Sequence, residues 1–131
     1  MSTTQRAHLI AGGFPPGSAA GHDMDYARLQ LLQQLQARGH LAVTVANDFQ
    51  DIERWLPGTD FLITYVAGPY PVGTGNAALL DWLANGGRWF ALHGTSGGKA
   101  VKGERDSLTV KKMVKAEHHR TLGCFFLNHP P

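Results

Sequence analysis

At 131 residues, 43% hydrophobic and 17% charged, the chain can build one domain core but contains no apolar run near the ~20 residues of a membrane helix. A single cysteine, Cys124, excludes an intrachain disulfide, and Arg6 and His8 interrupt any apolar leader, so a cytoplasmic protein of one domain (1–131) is expected. The net charge of +2 does not argue for nucleic acid, and the basic excess in 99–131 lacks the interleaved aromatics of a strand-binding platform, so neither nucleic acid nor membrane is an expected partner.

Along the chain, residues 7–14 form a short apolar run closed by glycines, the first predicted strand. A Pro- and Gly-rich loop follows, after which Asp23 or Asp25 can cap a helix with Tyr26, Leu29, Leu32 and Leu35 on one stripe. Gly39 ends that helix where a left-handed residue costs least. The β-branched run 41–46 is a second strand, and 48–55 holds one or two helical turns stopped by Pro57-Gly58. Residues 60–66 are a third strand. Asn76 is placed to cap a helix carrying Leu79, Leu80, Trp82 and Leu83, stopped by Gly86-Gly87. A fourth strand ends at Leu92. Beyond it, Asp106 or Ser107 starts an expected third long helix with Val110, Met113 and Val114 inward, and 124–127 is a further short strand.

Strands alternating with helices imply parallel crossovers, hence an open α/β sheet covered on both faces. Ligands of such sheets sit beyond the carboxyl ends of the strands. That edge would carry the loops after Gly12, Ala46, Val66 and Leu92.

The turn after the fourth strand, His93-Gly94-Thr95-Ser96-Gly97-Gly98, has the outline of a nucleophile elbow with histidine where a Ser or Cys would stand. His22 lies in a loop on the same expected edge, so the two imidazoles could converge, with Asp23 beside them. Gly73-Thr74-Gly75-Asn76-Ala77-Ala78 matches a dinucleotide fingerprint, but the prolines before it lengthen the turn and no acidic residue ends the next strand. Gly94–Lys99 lacks the P-loop spacing for nucleotide hydrolysis. Thr95 and Ser96 have no base partner in sequence and suit closing the turn. Cys124, in an apolar setting, reads as inert packing. His118-His119 point to different sides of any regular element, and His8 and His40 read as ordinary structural residues.

Gly21-His22-Asp23 ahead of a helix, the Asn85-Gly86-Gly87-Arg88-Trp89-Phe90-Ala91-Leu92-His93-Gly94 block and the closing Leu122–Pro130 run resemble the trehalose-utilisation (ThuA-like) proteins. The resemblance implies a class I glutamine amidotransferase-like fold, that is, a flavodoxin-like doubly wound, mainly parallel sheet. The family's domains are longer, so the chain reads as C-terminally incomplete. The amidotransferase nucleophile is not reproduced. What the resemblance implies is a role in carbohydrate metabolism, binding or processing a trehalose-type sugar at the strand-end edge. His93 and His22 would be its catalytic pair, and Asp23, Tyr65, Gly94, Thr95, Ser96 and His129 would bind substrate. No cofactor and no resident metal are expected. A non-catalytic interaction module on the same scaffold, and a metal-dependent hydrolase built on His22 and His93, are the alternatives. An unfinished sheet would also favour a homo-oligomer.

Overall fold

A computed structural model describes residues 4–13, 22–97 and 99–125. In chain order the elements are β1 (Gln5–Gly12), α1 (Met24–Gln36), β2 (Leu41–Ala46), α2 (Ile52–Trp55), β3 (Phe61–Val66), α3 (Gly73–Ala84), β4 (Arg88–Leu92), a 3₁₀ turn (His93–Ser96), β5 (Lys99–Arg105), β6 (Leu108–Val114) and α4 (His118–Leu122). Four strands form one parallel sheet in the order β2-β1-β3-β4. No described helix is long and apolar enough to cross a membrane.

Period-two alternation sorts the strand side chains onto two faces. Ala7, Leu9 and Ile63 pack with Leu31, Leu32 and Leu35 of α1. Ile10, Leu62 and Val66 pack on the other side with Ile52 and Leu56 around α2 and with Leu79 of α3. Helices therefore lie on both faces of the sheet, as the alternating pattern predicts, although α1 leaves Phe90 of β4 uncovered, and Tyr26 and Leu29, expected on its inward stripe, are exposed while Leu31 packs instead. Asp23 caps α1 by accepting from the Tyr26 amide at 2.8 Å. Gly39, at φ 69°, turns the chain into β2.

Several sequence expectations are overturned. The helix expected from 106 onward is an antiparallel hairpin, β5–β6, paired from Lys99↔Val114 to Arg105↔Leu108. Its two-residue turn, Asp106-Ser107, has φ of 52° and 63°, the mirror-image turn whose twist suits a hairpin. The spacing of Val110, Met113 and Val114 fits a helix, but Leu108, Val110 and Val114 also alternate as in a strand, and the turn decides between them. Helix α3 begins at Gly73 with Val72 at its cap, so Asn76 is a buried helical residue whose amide donates to Glu117 Oε1 at 2.9 Å. Cys124 is exposed rather than packed, because Gly123 in the left-handed region turns the chain out of α4. Neither Cys124 nor Phe125 is in a strand, and 126–127 lie outside the described residues.

Candidate functional site

The chain leaves β1 toward β2 on one side and then returns to build β3 and β4 on the other, so the β1/β3 boundary is the topological switch point of the sheet. Backbone segments meet there more closely than side chains would allow. A Cβ on Gly12 would lie 2.2 Å from the Asn47 carbonyl oxygen, and one on Gly13 2.2 Å from that of Gly68. A Cβ on Gly94 would come within 2.8 Å of the Val66 carbonyl oxygen, which lets the 3₁₀ turn sit directly on the end of β3. Arg28 reaches from α1 to this edge and donates to the Ala11 carbonyl and to Asn47 Oδ1, tying together the ends of β1 and β2.

Over this floor His22 and His93 meet. Their Nε2 atoms are 2.9 Å apart, one donating and the other accepting, and their ring centroids are 5.0 Å apart. His22 precedes the α1 cap and His93 opens the turn after β4, so 71 residues of chain separate two atoms in hydrogen-bond contact. His93 is exposed and adopts φ 41°, a left-handed conformation that costs a non-glycine residue on the order of 1–2 kcal/mol. Tyr65 stacks on the His93 ring at 5.8 Å, so this tyrosine orients the imidazole.

The rest of the turn is pinned from behind. Thr95 is fully buried and its Oγ1 accepts from the Val66 amide at 3.2 Å, while Ser96 Oγ donates to the His93 carbonyl at 2.8 Å. Tyr70 donates its hydroxyl to the Gly94 carbonyl at 2.7 Å. Thr95 is thus a structural residue of the turn rather than a surface for ligand. Thr95→Val should leave the Val66 amide without its acceptor and cost about 1–3 kcal/mol in urea unfolding. A fully stable Thr95→Val variant would contradict this assignment.

The largest departure from the sequence reading is the pair His118-His119. Both are buried, with ring centroids 4.0 Å apart, although adjacent helical residues diverge around the axis. The carbonyls of the turn reach both: His118 Nε2 donates to Thr95 O at 2.8 Å and His119 Nε2 to Gly97 O at 2.9 Å. His119 Nδ1 accepts from the Ala116 amide, fixing its tautomer. Tyr70 stacks on His118 at 4.2 Å. Two consecutive histidines after the hairpin are the only signal in the sequence, and no spacing rule connects them to the carbonyls of a turn more than twenty residues away.

Burial pushes the His118 pKa down to about 4, with the neighbouring His119 acting in the same direction against the hydrogen bond to Thr95. Burial likewise lowers His8, which stacks on Trp55 at 5.2 Å and is hydrogen-bonded to Thr44. The unfolded chain therefore takes up protons below about 6.5 that the folded chain refuses. The stability from His118 is complete above pH 6.5 and falls as the pH drops toward 4, by up to about 3 kcal/mol. Urea midpoints between pH 7 and pH 4.5 should decline, and His118→Gln should flatten that decline. A slope unchanged in His118→Gln would contradict the assignment.

Of the residues singled out from sequence, His22, His93, Tyr65, Gly94 and Ser96 gather at one place. Asp23 adjoins them, with its carboxylate engaged at the α1 cap. His129 lies outside the described residues. No group of three or more His, Cys, Asp or Glu side chains is placed to hold a metal ion among the described residues. No protein-family model, curated protein or solved structure matches this chain.

Proposed function

We propose that the chain is a ThuA-like protein of flavodoxin-like fold that binds a neutral, trehalose-type sugar over the switch point of its sheet, with His22 and His93 as an acid/base pair. The observation that carries this reading is the 2.9 Å contact between the two Nε2 atoms above a floor of bare backbone. Two imidazoles in contact offer one N–H donor and one ring acceptor side by side, the pattern that neighbouring sugar hydroxyls complement. Strain held at His93 supports the same reading, because a left-handed non-glycine residue persists where its position serves a site. An imidazole pair can also take a proton from one hydroxyl while returning one to another, which is general acid/base work without a covalent nucleophile.

The test is a thermal-shift titration with trehalose, maltose and glucose on the wild type, His22→Ala and His93→Gly. A sugar-dependent rise in Tm is expected for the wild type alone. If no sugar stabilises the wild type, or if both variants respond as it does, the proposal fails.

A further inference from the structure

We infer that the flank of the sheet beside α1 is a docking groove for an amphipathic helix of another protein, seated with its acidic C-terminal end against Arg38 and Arg88. One row of side chains runs across all four strands on the α1 face. Val45, Leu9, Ile63 and Phe90 are register neighbours across β2-β1-β3-β4. Their exposures are 41%, 0%, 8% and 62%, so α1 covers the middle of the row and leaves Phe90 of β4 bare, while Leu92 further along β4 packs against the same core. A groove of about 570 Å³ lies along this bare flank, with Leu35, Phe61, Ile63 and Phe90 among its apolar walls.

The architecture indicates what fits. Parallel sheets bury both faces under helices, and the opposite face of this one carries α2 and α3 over the same strands. A helix laid beside α1 would complete the layer in the helix-in-groove manner.

The charges indicate its chemistry and direction. The cations Arg38 and Arg88 line the groove with His40, and no acidic residue among the described residues does. Neither arginine has an ion-pair partner among the described residues, and the Arg88 guanidinium lies over the Phe61 ring, 5.6 Å from its centroid. Arg38 follows the C-terminus of α1 and Arg88 opens β4, so both stand at the end where a helix parallel to α1 terminates. The negative end of that helix's dipole and carboxylates in its last turn would meet them. A second copy of this chain docked on the same face about a two-fold axis parallel to the strands would instead bring these cations against their own counterparts.

The probes are two fluorescein-labelled 16-residue peptides with the same leucine stripe at helical spacing, one with glutamates and one with lysines in the last turn. Fluorescence anisotropy should show the glutamate peptide binding the wild type at least tenfold more tightly than the lysine peptide. Arg38→Glu/Arg88→Glu should invert that preference, and Phe90→Asp should remove saturable binding of both. All three positions are exposed, and circular dichroism with urea midpoints confirms that the variants are folded. Absence of saturable binding to the wild type overturns the inference, as does an affinity indifferent to the charge reversal. A wild-type dimer in sedimentation that Phe90→Asp dissociates, without peptide binding, assigns the groove to a second copy and overturns it too.

Discussion

His93→Gly should lose sugar binding by a factor of roughly 10–100 while its folding stability stays within about 1 kcal/mol of the wild type. The two halves of this expectation have separate causes. Binding falls because the imidazole supplies half of a donor–acceptor pair 2.9 Å across. Stability holds because glycine adopts the left-handed φ of 41° freely, and this relief offsets the lost stacking on Tyr65 and the added entropy of the unfolded chain. Isothermal titration with trehalose reads the first effect and urea unfolding the second. A variant that loses several kcal/mol of stability would make His93 a structural residue and remove the strain argument. One that keeps full affinity would remove His93 from the site.

Gly13→Ala should be the most damaging glycine-to-alanine substitution among the described residues, costing at least about 3 kcal/mol through overpacking and a strained backbone together. The new Cβ would stand 2.2 Å from the Gly68 carbonyl oxygen, a backbone atom that cannot rotate away, at a φ of 102°. Against a total stability of about 5–15 kcal/mol, that loss removes a large share of the margin that keeps the protein folded. Gly39→Ala is the internal control. Gly39 also has a positive φ, 69°, but nothing lies within 4 Å of its added Cβ. It should cost only about 1 kcal/mol. Equal midpoints for the two variants in urea would contradict the close backbone approach that floors the site.

The parallel sheet and the two helical layers were legible from short apolar and β-branched runs alternating with helical segments, but the inward face of α1 was only half legible: Leu32 and Leu35 pack on the sheet, whereas Tyr26 and Leu29 of the expected stripe are exposed and Leu31 packs in their place. The convergence of His22 and His93 was legible too, since both lie in loops that parallel topology sends to one edge. Past Leu92 the sequence misleads. The apolar residues of 108–114 satisfy helical and strand spacing equally, and only the positive φ of Asp106 and Ser107 resolves them. The burial of His118 and His119 depends on where the carbonyls of a distant turn fall, which local periodicity does not encode. Thr95 separates two readings: its lack of a base partner points to closing the turn, and the Val66 amide does engage its buried hydroxyl there, whereas the resemblance implies a ligand group. The bare flank at Phe90 is likewise invisible in the alternation of β4 and appears only once α1 is seen to stop short of it.

The most direct measurement is a trehalose titration of ¹⁵N-histidine-labelled protein, following the ring nitrogens of its seven histidines by NMR. The account predicts that His22 and His93 begin with one protonated and one unprotonated Nε2 and shift together on saturation, while buried His8, His118 and His119 stay in place. A titration that moves the buried His8, His118 or His119 in place of the pair, or moves none at all, would contradict a sugar site at the His22–His93 pair.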